Sequence, residues 1–497
     1  MITLSPTLGL NRSIAESREL ILDLQQQLAT GKKVNSYGDL GLQGTQILSM
    51  RSELSQIEGY MKTIDMIDIR LNVMTQSLDH VRELGSLTRS DALLANFELN
   101  SSGQTFYQAE VSSRFDEVAA ILNMDVDGRH LFGGRETEQN PLLTSTEILN
   151  GSGSRAGFKQ IVSERRQADL GADGRGRLVL SGILGTASIS EDAAGSPFGF
   201  KLNGATSTLS GTTLTGPAGA PPNLDVTFSA TLPNDGETIQ VTFDLPDGTS
   251  HDLQMTARSS GPIQPGEFLI GVDANGTAAN FQTAITSEIE TEAQRSLSAA
   301  SLFAASNDFF DFDAANPPQR VNGPPFDTAT ALVNATVTDT VFWYQGEDSA
   351  TDARQSALVK VDDAITVEYG ARANEDALRQ VIKTLAAVSV EIFDPTDVNA
   401  ADRNHEIKLR TTASLSFTGG AQGIDDIIFE LTVAQTVAAR AHERHQASDG
   451  FIRNLVGEAE SVDIYEVSAQ IISLSLRVEA SLQASVSLSR LSLLNFF

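Results

Sequence analysis

Residues 10–28 read LNRSIAESRELILDLQQQL. Within them Leu10, Ile14, Ser17, Ile21, Leu24 and Leu28 are separated alternately by four and three positions, the a/d spacing of a coiled coil. The far end of this 497-residue chain repeats the pattern. There, in IYEVSAQIISLSLRVEASLQASV (464–486), Ile464, Val467, Ile471, Leu474 and Val478 hold the same alternation, and Leu482 and Val486 carry it on with wider steps. Each stripe is the apolar edge of a helix without a core of its own, so every side chain left wet forgoes about 1.5–3 kcal/mol of burial. Its natural partner is the other end of the chain, or the ends of neighbouring copies. Pairing within one monomer makes a two-stranded coil whose outer side stays exposed. Ala469, Leu476, Leu482 and Leu488 widen the carboxy-terminal stripe beyond such a seam, which favours several copies side by side. The residues expected to carry assembly are Ile14, Ile21, Leu24 and Leu28 at one end. At the other they are Ile464, Val467, Ile471, Leu474, Val478, Leu482, Leu491, Leu493 and Leu494.

Inward from the first stripe, Gly31 to Gly44, with Asn35, Ser36, Gly38 and Gly41, reads as a loop. Ile47, Met50, Leu54, Ile57, Met61 and Ile64 resume the alternation, Asp68 interrupts it, and Leu71, Met74, Leu78 and Val81 continue it. This predicts one long helical rod from Ile47 to Thr88. After a turn at Asn96–Gly103, Val111, Phe115, Val118 and Leu122 mark a helix folding back antiparallel. Asp125-Val126-Asp127-Gly128 is expected to end it, with a left-handed Gly128.

Composition shifts beyond Asn140. The Gly, Ser, Thr and Pro content of Ser145–Pro222 suggests short strands and long loops. Leu224, Val226, Phe228, Ala230 and Leu232 alternate with polar residues, as do Ile239, Val241, Phe243 and Leu245. With Pro233-Asn234-Asp235-Gly236 between them, the two runs read as a hairpin, and Pro246-Asp247-Gly248 adds a turn toward Leu253 and Met255. A helix fits Ala279–Arg295, with Phe281, Ile285 and Ile289 on one face. Helices return at Glu375–Val390 and Asn404–Ser416, and from Ile424 nearly to the end only Gly450 and Gly457 weaken one very long helix. The fold class is mainly α with a β-rich inserted domain. Residues 1–40 and 457–497 form the two halves of a terminal coiled-coil domain, 41–140 and 346–456 a helical rod, and 141–345 a mixed β-rich insert.

A formal charge of −29 and a pI near 4.5 argue against a nucleic-acid surface, which needs clustered Lys and Arg, and against docking on an anionic membrane. No stretch approaches the roughly 20 apolar residues of a membrane span. With no cysteine, disulfides and thiolate chemistry are excluded. Met1–Leu10 has neither the basic nor the continuous apolar region of a cleavable signal.

Catalytic patterns are poor. His442-Glu443-Arg444-His445 has its histidines three apart where zinc-binding His-Glu-x-x-His needs four, and it reads as polar residues on the solvated side of a helix. Asp125, Asp127 and Glu136 suit the ends of a calcium loop, but Arg129 and His130 stand where an oxygen ligand and the turn glycine belong. Asp308, Asp311 and Asp313 read as a solvated loop, and Gly151, Gly153 and Gly157 miss both nucleotide-loop spacings. The expectation is no enzyme, no metal and no cofactor. Trp343, the single tryptophan, reads as a strand entering a turn and anchoring insert to rod.

Leu28-Ala29-Thr30-Gly31-Lys32-Lys33-Val34-Asn35-Ser36 resembles the loop after the first helix in the flagellin family. Asp127-Gly128-Arg129-His130-Leu131-Phe132-Gly133-Gly134, with Pro141 downstream, is similar to the Gly-x-Tyr-x-Phe-x-Gly stretch of that family's hook-associated members, with His130 in the usual Tyr or Phe place. The ending Leu491-Ser492-Leu493-Leu494-Asn495-Phe496-Phe497 resembles the same branch, since filament-forming flagellins stop soon after a Leu-Leu-Arg-like end. The resemblance covers about Met1–Pro141 and Val341–Phe497. It implies coaxial terminal helices, an outward-facing middle, and a non-enzymatic subunit exported to the bacterial flagellum and self-assembling with sister subunits. Implied partners are flagellin, the other hook-associated junction protein, and an export chaperone on the carboxy-terminal helix. The filament subunit itself, or an adhesin or signalling protein on a helical stalk, are the alternatives.

Overall fold

The computed structural model describes residues 6–34, 36, 42–313, 315–418 and 420–494. Helices α1 (Pro6–Thr30), α2 (Leu42–Leu94) and α3 (Phe106–Leu122) come first, followed by a two-residue-strand hairpin, β1 (Asp125–Val126) and β2 (Arg129–His130). Helices α4 (Ser145–Asn150) and α5 (Phe158–Leu170) precede strands β3 (Leu178–Ile183), β4 (Thr186–Glu191), β5 (Lys201–Ser207), β6 (Thr212–Gly219), β7 (Pro222–Phe228), β8 (Thr238–Asp244), β9 (Ser250–Arg258) and β10 (Glu267–Leu269). The rest is α6 (Ala274–Glu292), α7 (Ser298–Phe310), α8 (Asp376–Val390), α9 (Ala400–Ser414), α10 (Ile424–Glu460) and α11 (Ile464–Leu494), with short strand pairs between α7 and α8. A helical region with a β-rich insert is the architecture.

The chain divides into two compact units. The first comprises Met1–Asp68, Val359–Val367 and Gln435–Phe497. In it, the early part of α2 runs antiparallel to the late part of α10, as their paired side chains show. Arg51 meets Glu460, Arg453 meets Glu58, His442 meets Asp65 and Gln435 meets Asp68. Ile47, Leu54, Ile57, Ile452 and Val456 form the core between them. The interruption at Asp68 resolves as a slip of the stripe: Ile67 is buried beside Ile64, so two steps of three follow one another before Leu71. That is a stammer, which locally overwinds the helix pattern.

The second unit comprises Ile69–Leu358 and Glu368–Ala434. Its insert holds two four-stranded sheets, ordered β3-β4-β7-β6 and β10-β9-β8-β5. Only the β9–β10 pair is parallel. Phe200, Phe228, Phe243, Phe268 and the inner face of α6, with Phe281, Ile285 and Ile289, fill one core. The expected 224–245 hairpin does not form. Both strands exist, but β7 pairs with β4 and β6 while β8 pairs with β5 and β9, so the Pro233–Gly236 turn passes from one sheet to the other. The turn at Pro246–Gly248 does join a hairpin, β8–β9. Ser145–Pro222 also holds two helices that its composition conceals.

Beside the sheets, α7 lies almost entirely inside the unit, with eleven residues buried of its thirteen. Phe158, Phe309, Phe310 and Trp343 interlock around it at ring separations of 4.8–5.6 Å. Trp343 donates to Phe310 O at 3.1 Å from an irregular segment and not a strand. Helix α3 closes at Asn123, before the stretch expected to end it. Asp127 (φ 55°) and Gly128 (φ 75°) instead form the two-residue turn of the β1–β2 hairpin.

Candidate functional site

The two terminal stripes meet within the first unit, where α1 packs along α11. The geometry begins at a joint. Gly31, at φ 68°, closes α1 with its N–H on Gln27 O at 2.8 Å, the left-handed cap that glycine takes without strain. The next residues bind the break between α10 and α11: Lys33 N donates to Glu460 O at 2.8 Å and Val462 N to Gly31 O at 3.1 Å, with Lys32 and Ser461 in an antiparallel bridge. Asp463 then caps α11, its Oδ1 accepting from Tyr465 N at 2.8 Å and Glu466 N at 3.2 Å. Arg51 forks onto Glu460 at 2.8–3.0 Å, and Lys33 Nζ reaches Glu458 O at 3.1 Å. The long terminal helix runs unbroken through Gly450 and Gly457 and breaks at Ser461–Asp463, because the backbone of Gly31–Lys33 takes over hydrogen bonds there. Asp463-Ile464-Tyr465-Glu466 carries the Asp-x-x-Glu pattern of a helix start, the signal that would have located this joint in the sequence.

From the joint the helices return side by side in opposite directions. Ile14, Leu24 and Val467 are buried, and Ile21, Ile471, Leu474 and Val478 are half-buried. Leu28 and Ile464, at the joint end, are exposed. Beyond Val478 the inward positions pass to Ser481 and Ser485, which keep the strict four-three step, while Leu482 and Val486 are exposed. Leu491, Leu493 and Leu494 lie on α11 with side chains outside the described residues. Outside the contact, Leu20, Leu22, Ile472 and Leu476 face solvent, the last three at 62–66% exposure. The only charged side-chain pair on α1 among the described residues, Arg12–Glu16, is open to water and contributes little. What the pair of helices presents is large aliphatic groups on its outer side, set among the exposed charges of α1 and the few of α11.

No group of three metal-ligating carboxylates, histidines or cysteines occurs among the described residues, and none of their helices is long and apolar enough to cross a membrane. His445 is not solvated: it is buried, stacked on Tyr60 at 5.3 Å, with its Nε2 donating to Val361 O at 2.8 Å. The aspartates expected in a wet loop are also tied down. Burial pushes Asp308 up to about 6 although Arg165 pairs with it at 2.5 Å, Asp311 is held by Arg379 and Lys383, and Asp313 closes its own turn through Asn316. Gly157 serves packing, since a Cβ there would fall 2.1 Å from Gly151 N.

Residues 2–137 match the family model for the bacterial flagellin N-terminal helical region. The match spans α1, α2, α3 and the β1–β2 hairpin, supports the flagellin family, a structural and non-enzymatic one, and suggests a flagellar structural subunit. No curated protein matches the chain.

Proposed function

We propose that this chain is an exported structural subunit of the bacterial flagellum placed at the junction of hook and filament. The observation that carries the reading is the α1–α11 pair: it buries Ile14, Leu24 and Val467 but leaves Leu22, Ile472 and Leu476 wet on its outer side. In the polymer these two helices form a coiled-coil pair whose outer aliphatic groups are covered by sister subunits. Ile14, Ile21, Leu24, Ile471, Leu474 and Val478 hold the pair, and Leu28, Ile464, Leu482, Leu491, Leu493 and Leu494 join it to neighbours. Flagellin on one side and the other junction protein on the other complete the contacts, and a chaperone covers α11 before export. The likeness of Asp127-Gly128-Arg129-His130-Leu131-Phe132-Gly133-Gly134 to the hook-associated members favours the junction over the bulk filament.

Deleting Ser485–Phe497 tests this. Cells should secrete flagellin into the medium and swim poorly, and the intact protein should be a trace component of sheared appendages. Normal swimming removes the reading, and dominance in the sheared material assigns the chain to the filament.

A further inference from the structure

The second unit contains a hollow of about 330 Å³ that has no part in the helix pairing. Three arginines line it from separate elements: Arg70 from α2, Arg129 from β2 and Arg135 from the loop that follows. His130, Thr137 and Tyr369 add polar groups, and no aspartate or glutamate lines it. In a chain with 64 acidic against 35 basic residues, such a concave surface is unexpected.

The arginines are also unspent. Among the described residues the Arg70 side chain meets no ion-pair or hydrogen-bond partner, and its Nε is buried without one, a position that costs free energy unless something else occupies it. Among the described residues the Arg129 side chain meets no such partner, and that of Arg135 approaches only Glu347, at 3.6 Å, whose carboxylate also accepts from Arg135 N at 2.9 Å. The wall is rigid. The backbone of β1–β2 sets Arg129, His130 Nδ1 donates to Asn123 O at 2.8 Å, and Gly134 N bonds Ala371 O at 3.3 Å across the hollow's rim. Guanidinium forks recognise planar oxyanions by paired N–H donors, and here Arg70 is half-buried while Arg129 and Arg135 are exposed. The volume exceeds what a single small ion fills and lies in the range of ligand sites.

We propose that this hollow binds a polycarboxylate, engaged by Arg70 and Arg129 with Arg135 at the edge. The carboxylates come either from a free small acid or from acidic side chains of a second copy of this chain. The inference does not depend on the flagellar reading.

Calorimetric titration of the full chain with citrate at low ionic strength tests it. Binding should be one to one and weaken about tenfold or more for Arg70→Gln and again for Arg129→Gln. Because neither side chain is bonded within the protein, the circular dichroism and unfolding midpoint of both variants should match the parent. No citrate heat, or equal heat from parent and double variant, overturns the proposal. Light scattering separates the sources: if citrate dissociates copies that the double variant cannot associate, the ligand is a sister chain, and if citrate binds without changing particle mass, it is a free acid. Loss of swimming after terminal deletion would leave this result untouched, and the reverse holds too.

Discussion

Helices α7 and α11 are both rich in Ser, Ala, Leu and other small or aliphatic residues, yet one vanishes into the protein and the other is covered along a single face. Eleven of the thirteen residues of α7 are buried, whereas Val467 alone is buried among the described side chains of α11. Helix α7 is enclosed by α5, α8 and α9, so its apolar demand is met on every side within one chain. Helix α11 has α1 for company, and two helices can cover only the face between them. Apolar content therefore does not separate a core helix from an assembly helix. The number of neighbours that the fold supplies does.

The largest expected effect breaks the well-covered side of that contrast. Phe310 is fully buried against Phe158, Phe309 and Trp343, so Phe310→Ala leaves a cavity that nothing nearby can fill. Urea unfolding should show a loss of about 3–5 kcal/mol. A loss below about 1 kcal/mol would mean that α7 is not the closed core described above.

Next in size is a pH effect confined to the same interior. Arg165 lies between Asp169 at 2.9 Å and Asp308 at 2.5 Å, with Asp311 also near, and burial raises Asp308 to about 6. With a folded value above the unfolded one near 3.8, the native state keeps a proton that the unfolded chain releases. This group's contribution is therefore full below about pH 4 and is lost as pH rises toward about 6, a change of about 2–3 kcal/mol. Asp308→Asn should remove that slope from the unfolding midpoint measured between pH 4 and 7. An unchanged slope would show that the proton sits elsewhere in the cluster.

These interior charges also explain where the sequence misled. The stripes of α1, α2, α8 and α11 are legible because a period near 3.5 is a local property of the chain, and the buried Leu378, Val381, Ile382 and Leu385 follow it closely. Helix α5 was hidden because FKQIVSERRQADL looks like a solvated segment, yet Glu164, Arg165 and Asp169 are buried and paired. Strands β7 and β8 were legible as strands but not in their pairing, since β4 and β5, far back in the chain, capture them. At the candidate site the buried Ile14, Leu24 and Val467 lie on the stripes read from the sequence, whereas the passage from Val478 to Ser481 was masked by the greater hydrophobicity of Leu482. Periodicity outweighs the identity of any single residue there.

The smallest expected change in stability sharpens the contrast from its open side. Leu476 is 62% exposed, so replacing it removes almost no burial from the isolated chain, and Leu476→Ser should shift the unfolding free energy by only about 0.5 kcal/mol. If sister copies cover that face, each copy in the polymer loses about 1.5–3 kcal/mol of burial at the same position, repeated along the whole assembly. Assembly monitored by sedimentation should then fail at concentrations where the parent polymerises, while the monomer's melting curve stays in place. A variant that assembles like the parent would show that this face of α11 remains in water in the polymer, and that its aliphatic surface has no neighbour to wait for.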